Sequence, residues 1–242
     1  MKNKIEKDYR IPLYLSDNTA HMSYTGFFIA FVDMASEHAA DLCMGKKEMD
    51  SKGLIWITTK TKIRIYERPQ MLSTVQLTTW PGPADKSRSN RYYTMVQGGR
   101  LLAEAKNEWS VLEPAAGKIH RVSEVFPKDV ELCTDTVCDT PYYKISDDFS
   151  QCEVMGRHTV TFSDLDTSNH MNNANYVRRV FSAFSSEEIA SMPITEMEIA
   201  YKQQCYEGET LTLVKRENDN GCDIGIIKED GRTAATMRII YK

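Results

Sequence analysis

Residues 163–177 read Ser-Asp-Leu-Asp-Thr-Ser-Asn-His-Met-Asn-Asn-Ala-Asn-Tyr-Val. Asp166, Ser168, His170, Asn172 and Asn173 place a carboxylate, a hydroxyl, an imidazole and two amides within eight positions. Such groups can take a proton, give one, and hold a polarised carbonyl by hydrogen bonds. Tyr176-Val177 and Val180-Phe181 follow at helical spacing, so the cluster feeds the N-terminus of a buried helix. Backbone N–H groups without intrahelical acceptors and the positive end of the helix dipole lie there. Asp, Ser and Asn also cap helices for purely structural reasons, so the stretch has both a catalytic and a structural reading.

The chain carries a second copy of this arrangement. Asp17-Asn18-Thr19-Ala20-His21-Met22 echoes Asp166-Thr167-Ser168-Asn169-His170-Met171, with the His-Met pairs 149 residues apart, and Phe27 matches Tyr176 on the helix that follows. Ile63–Tyr66 through Thr74–Leu77 matches Ile199–Lys202 through Thr210–Leu213 at an offset of 136. Gly99-Arg100 matches Gly231-Arg232 at an offset of 132. Two units this long are a duplicated domain and not a solenoid. The first copy has Ser23 and Tyr24 where the second has Asn172 and Asn173, which marks His21 as part of a degenerate site.

Each unit reads as a short strand, one long apolar helix, then several strands. Phe27, Phe28, Phe31, Met34, Ala35 and His38 recur at three and four, predicting a helix over 22–44. The matching helix of the second unit is expected over 172–189. Lys60, Lys62 and Arg64 alternate with Thr61, Ile63 and Ile65, the pattern of a sheet with one wet face. Gln97-Gly98-Gly99-Arg100 and Glu229-Asp230-Gly231-Arg232 are hairpin turns. The expected organisation is a first unit over 1–112, a linker over 113–150 and a second unit over 151–242. The fold class is α+β, a helix wrapped by a curved antiparallel sheet, twice over.

Bulk properties narrow the function. Hydrophobic residues make up 41% of 242, with 12 Tyr and 8 Phe, enough for a real core. The net charge of −4 makes nucleic acid an unexpected partner. The longest apolar run, 26–32, is far too short for a membrane span, and the start of the chain lacks an apolar signal region. The six cysteines form no CxxC pair and have no ligand-spaced histidine. These features read as a reduced, soluble, cytoplasmic protein for which no metal or organic cofactor is implied.

Asp166-x-x-x-His170-x-Asn172-Asn173 leading into a helix wrapped by a sheet resembles the hotdog-fold acyl-acyl-carrier-protein thioesterases, the FatA/FatB type of plants and their bacterial relatives. Gly53-Leu54-Ile55-Trp56-Ile57-Thr58-Thr59-Lys60 is similar to the strand that opens the family's N-terminal sheet, and Tyr201-Lys202-Gln203-Gln204-Cys205 to the strand facing the catalytic loop. The resemblance covers about residues 10–242. It implies a tandem (double) hotdog and a thiolester hydrolase that releases free fatty acid from acyl-carrier protein, ending chain elongation. A degenerate first unit then holds substrate while the second keeps the chemistry.

By this resemblance Asp166 and His170 are catalytic, with Ser168 and Gln204 beside them. The family usually has Asn where Ser168 stands, and often Glu where Gln204 stands. Gln cannot take a proton, so base duty falls on Asp166 or His170. Asp166 either deprotonates water or attacks the thioester directly; His170 orients the water or protonates the leaving thiol. Backbone N–H groups of Met171 to Asn173 are expected to serve the oxyanion, and Asn172 and Asn173 to shape the turn against substrate. Trp56, with the aromatic first helix, either packs a core or lines an acyl tunnel, and Cys205 is a small buried hydrophobe beside the site. An acidic carrier needs a basic dock, for which Lys60, Lys62 and Arg64, or Arg178 and Arg179, are candidates. The alternatives are the same hydrolysis on acyl-CoA, or an acyl-thioester binding protein without turnover; a monomer and a homodimer both remain open.

Overall fold

The computed structural model describes residues 3–128 and 130–241. The chain divides into two compact units, Met1–Thr140 and Pro141–Lys242.

In the first unit the helix α1 (Tyr24–Asp41) buries Phe27, Phe28, Phe31, Met34, Ala35 and His38 along one stripe, the spacing of a face laid on a sheet. Ser23 sets its start: the side-chain oxygen accepts from the Gly26 N–H at 3.0 Å. The helix stops earlier than the periodicity suggests, because Cys43 takes a positive φ of 56°. A separate short helix, α2 (Lys46–Ser51), follows. The strands are β1 (Ile5–Arg10), β2 (Ile55–Ile65), β3 (Thr74–Ala84), β4 (Ser89–Gln97) and β5 (Arg100–Glu113). They pair antiparallel in the order β1-β3-β4-β5-β2. Gly98 and Gly99, at φ 55° and 77°, make the tight turn between β4 and β5. The rings of Phe31 on α1 and Tyr93 on β4 meet at 5.0 Å, fixing the helix against the sheet.

One face of this sheet differs from the alternation. Lys62 is fully buried, and its Nζ donates to the Thr140 hydroxyl at 3.2 Å. Arg64 donates to the same hydroxyl at 3.3 Å and pairs with Glu104 at 2.9 Å. Lys106 Nζ donates to the Thr140 carbonyl at 2.8 Å. The chain leading to Thr140 covers a face that periodicity alone reads as wet, so Lys62 does not serve a docking surface. That connecting stretch is also more structured than a linker: β6 (Lys118–His120) pairs with the end of β5, and the Trp80 indole donates to the Asp135 carbonyl at 2.9 Å.

The second unit repeats the plan with β7 (Glu153–Thr159), α3 (Asn173–Ser182), β8 (Glu196–Tyr201), β9 (Thr210–Asn218), β10 (Gly221–Lys228) and β11 (Thr233–Ile240). Its antiparallel order is β7-β9-β10-β11-β8, the order of the first unit strand for strand. The helix expected over 172–189 is instead two. Ser185 accepts from the Glu188 N–H while the Glu188 side chain accepts from the Ser185 N–H, a capping box that starts α4 (Ser186–Ser191) afresh. Each unit is a helix wrapped by an antiparallel sheet, the double hotdog.

The entry to each helix is built alike. The Ser23 N–H donates to the Leu15 carbonyl at 2.8 Å, and the Asn172 N–H to the Asp164 carbonyl at 2.8 Å. In the first unit this brings the helix so close that a Cβ on Gly26 would lie 2.7 Å from the Leu15 oxygen. At the matching position of the second unit, Asn175 Nδ2 donates to the Asp164 carbonyl at 3.0 Å. Gly26→Ala should therefore destabilise the protein by about 1–3 kcal/mol, the usual cost of overpacking against backbone. Urea unfolding followed by circular dichroism measures this, and an unchanged midpoint would contradict it.

Candidate active site

The loop before α3 is a closed turn. The Asp166 N–H donates to the His170 carbonyl at 2.8 Å, and the Asn169 N–H to the Asp166 carbonyl at 3.1 Å. Asn169 supplies the left-handed residue at φ 59°, a conformation Asn tolerates better than most. Asp166 Oδ1 accepts from the Ser168 N–H at 2.7 Å and the His170 N–H at 3.4 Å. The turn thereby fixes Asp166 and His170 on its two arms, both half-buried, with Ser168 exposed at its tip. Asn172 is the cap of α3, its Oδ1 accepting from the Ala174 N–H at 2.9 Å. Asn173 opens the helix, and its carbonyl accepts from the Tyr201 hydroxyl at 3.2 Å.

A backbone bond joins this turn to the stretch after β8: the Met171 N–H donates to the Cys205 carbonyl at 2.8 Å. Asp166, Ser168, His170, Gln204 and Cys205 thus belong to one neighbourhood, with Asn172 and Asn173 at its edge. Two of the three N–H groups expected to serve an oxyanion are committed elsewhere, Met171 to the Cys205 carbonyl and Asn172 to the Asp164 carbonyl. Cys205 is fully buried; burial pushes its thiol pKa up, only partly offset by the Tyr176 hydroxyl, so the nucleophilic thiolate is disfavoured. Trp56 lies in the first unit, where its indole donates to the Met44 carbonyl at 2.9 Å and its ring meets Trp109 and Phe126 edge-on at 6.4 and 6.3 Å. It packs a core there.

Two residues of the site were not singled out by sequence. Tyr206 turns its ring edge-on to His170, with centroids 5.2 Å apart and planes at 80°, and its hydroxyl donates to Gln204 Oε1 at 3.0 Å. Asp164 is fully buried beneath the loop. Its Oδ1 accepts from Arg179 Nε and Nη2 at 3.1 and 2.5 Å, and its Oδ2 from the Thr161 N–H at 2.9 Å and hydroxyl at 3.0 Å. His158 Nε2 lies 2.8 Å from the same oxygen. Arg179 is thereby committed to the loop and not to a docking surface, while Arg178 stays exposed. The available signal for Asp164 was the Thr161-x-x-Asp164 capping box; for Tyr206 no local pattern existed. Among the described residues, no group of three His, Cys, Asp or Glu side chains is arranged to hold a metal ion.

The copy in the first unit has the same backbone and different electrostatics. The Asp17 N–H donates to the His21 carbonyl at 2.9 Å, the Met22 N–H to the Pro69 carbonyl at 2.9 Å, and Asp17 Oδ1 accepts from the Thr19 N–H at 3.0 Å. Pro69 therefore stands where Cys205 does, and Arg68 where Gln204 does. Arg68 Nη2 pairs with Asp17 Oδ2 at 2.8 Å and donates to the Thr19 hydroxyl at 2.6 Å. An arginine clamp neutralises the carboxylate that the second unit leaves to backbone donors.

Family models described as the acyl-ACP thioesterase N-terminal domain and C-terminal domain match residues 2–129 and 150–242. A chloroplastic palmitoyl-acyl carrier protein thioesterase of Arabidopsis thaliana is 24% identical over 191 residues, 76% of this chain and 46% of its own length. A chloroplastic oleoyl-acyl carrier protein thioesterase of the same plant is 22% identical over 198 residues, 76% of this chain and 54% of its own. The chain spans about half the length of these curated relatives. Among solved structures, an acyl-ACP thioesterase from Bacteroides thetaiotaomicron superposes with a TM-score of 0.89 at 16% identity, over 99% of this chain and 98% of that one. A 12:0-ACP thioesterase from Umbellularia californica gives 0.82 at 16% identity, over 100% and 98%. At these identities the superpositions establish the fold.

Asp164 gives the site a measurable pH signature. Burial pushes its carboxyl pKa up, but the Thr161 N–H, Arg179, His158 and the Thr161 hydroxyl outweigh burial and hold it at about 2, below its ordinary 3.8. A pKa depressed by folding contributes stability that is complete above the unfolded value and is lost as the pH falls through the folded one. Asp164→Asn should cost about 3–5 kcal/mol at neutral pH, the penalty for stranding a buried ion-pair partner. Between pH 5 and 2 the wild type should lose on the order of 2 kcal/mol more stability than this variant. Denaturant titrations of both proteins across that range test it, and parallel profiles would remove Asp164 from this role.

Proposed function

The chain belongs to the acyl-ACP thioesterase family, and from that premise we propose that it hydrolyses fatty acyl-acyl-carrier-protein to free fatty acid and carrier thiol. The observation that carries the reading is the turn that holds Asp166 and His170 on two arms and closes on the Gln204–Tyr206 stretch. In hydrolysis a water oxygen bonds to the thioester carbonyl carbon, the C–S bond breaks, and the sulfur leaves with a proton. Two backbone N–H groups hold Asp166 Oδ1. Its Oδ2 is then the oxygen that takes the water's proton, or that attacks the carbonyl itself to give an anhydride which water opens. His170, whose ring is seated on Tyr206, orients the water or delivers the proton to the departing sulfur.

The substrate's carrier is acidic, so a basic approach surface is required; exposed Arg178 on α3 is its candidate. No helix among the described residues is long and apolar enough to cross a membrane. Six free cysteines fit a reducing compartment such as the cytoplasm.

Asp166→Ala and His170→Ala should each lower thiol release from acyl-carrier substrate by about 10²–10⁴-fold, the range for losing a general acid or base, with circular dichroism unchanged. Full activity in either variant would discard that residue. A panel of chain lengths on carrier protein and on coenzyme A, followed by thiol detection, fixes the substrate. Binding without turnover across the panel would make the protein a carrier instead. Single turnover in ¹⁸O-water labels Asp166 only if its carboxylate is the nucleophile.

A further inference from the structure

Gln204 stands where the family resemblance expects glutamate, and on the hydrolytic reading above, the change removes a proton acceptor from the site. Its neighbours define what the glutamine does instead. Tyr206 Oη donates to Gln204 Oε1 at 3.0 Å. Lys228 Nζ donates to the Gln204 main-chain carbonyl at 3.0 Å, pinning the backbone beneath the side chain. Tyr206 is itself held: its N–H donates to the Glu209 carboxylate at 3.0 Å, its ring meets His170, and the Lys228 ammonium lies 5.9 Å from its ring centroid. Lys228 in turn pairs with Glu209 at 2.9 Å. Gly208, at φ 86°, lets the chain turn back so that the Glu209 N–H reaches the Tyr206 carbonyl at 3.2 Å.

A carboxamide carries its oxygen and its NH₂ on opposite sides of one carbon. A phenol is a better donor than acceptor, so Tyr206 selects the oxygen side and directs the two N–H donors of Nε2 away from itself. We propose that Tyr206 is a positioning residue that makes Gln204 a fixed hydrogen-bond donor, with Nε2 receiving the thioester oxygen as it becomes an oxyanion. The inference rests on the hydrolytic reading of this site. The main-chain N–H groups of Met171 and Asn172 cannot fill that role, being committed to Cys205 and Asp164. When water adds to the carbonyl carbon, the carbonyl π pair moves onto the oxygen and Nε2 holds the charge. When the C–S bond breaks, the pair returns and the sulfur takes its proton. One phenol thus orders both the donor, through its hydroxyl, and His170, through its ring.

A double-mutant cycle tests this. Tyr206→Phe keeps the ring on His170 and removes only the hydroxyl; Gln204→Ala removes the proposed donor; the third protein carries both. On acyl-carrier substrate, Tyr206→Phe should lower kcat about tenfold, a fraction of the loss from deleting an oxyanion donor outright, with KM within about twofold. In the Gln204→Ala background the same change should have no further effect. An equal loss in both backgrounds, or full kcat in Tyr206→Phe, would overturn the proposal. If the wild type turns over no acyl thioester, the hydrolytic reading has failed by itself. The cycle is then read from the Kd of an acyl-pantetheine ketone with CH₂ in place of sulfur. A several-fold weakening by Tyr206→Phe that needs Gln204 supports the fixed donor, and equal Kd values in all four proteins overturn it.

Discussion

The hydrogen bond from the Met171 N–H to the Cys205 carbonyl is the constraint on which the candidate site depends. It joins the turn before α3 to the stretch after β8, segments more than thirty residues apart. The Tyr206 ring against His170 joins the same two segments. The bond is backbone to backbone, so it constrains side chains only through the geometry of the two segments. Each segment is therefore stiffened separately: Asn169 in the left-handed region closes one turn, and Gly208 closes the other. Asp164 locks the first to α3 through Arg179, and Glu209 locks the second to β10 through Lys228.

Duplication separates what the backbone requires from what the chemistry requires. Both units keep the carboxylate, the positive-φ residue (Ala20 or Asn169), the histidine and the inter-segment bond. These features recur even where the first unit's carboxylate is clamped by Arg68, so they belong to the architecture of the helix entry. The distinguishing features are Gln204 against Arg68, Asp164 against Leu15, and Asn175 against Gly26. The Arg68 guanidinium is ion-paired with the Asp17 carboxylate. The neutral amide of Gln204 at the matching place can form no such pair. The two copies of the loop thus share a backbone and differ in the side chains that meet the carboxylate.

The strands and their hairpins were legible in the sequence because alternation and Gly-rich turns are local. The repeat was legible because duplicated spacing survives divergence, and it set Asp166 and His170 against Asp17 and His21; Gln204 entered only through the family resemblance. Three things were not. Lys62 alternates like a solvent-facing residue, yet the chain ending at Thr140 lies over it; covering a face is a tertiary event that leaves no periodicity. The expected single helix over 172–189 breaks at Ser185 because a local capping box outweighs the apolar spacing. The N–H groups of Met171 and Asn172 looked available from their place before a helix, but hydrogen bonds across the fold consume them.

That last point bears on how a glutamine can occupy a catalytic neighbourhood. A glutamate there could accept a proton but would carry charge opposing a developing oxyanion. A glutamine with an unconstrained amide could present either its oxygen or its nitrogen, and the wrong face would repel the same oxyanion. The site therefore gains from an amide only if something selects its orientation. Tyr206 makes that selection with one hydroxyl, and the ring carrying the hydroxyl rests on His170. The division of labour follows from the donor and acceptor inventory. On the proposed reading, Asp166, held at Oδ1 by backbone donors, handles the proton, while the oriented amide handles the charge on oxygen. On that reading a glutamine at position 204 leaves the base function to the loop, where two backbone N–H groups hold Asp166.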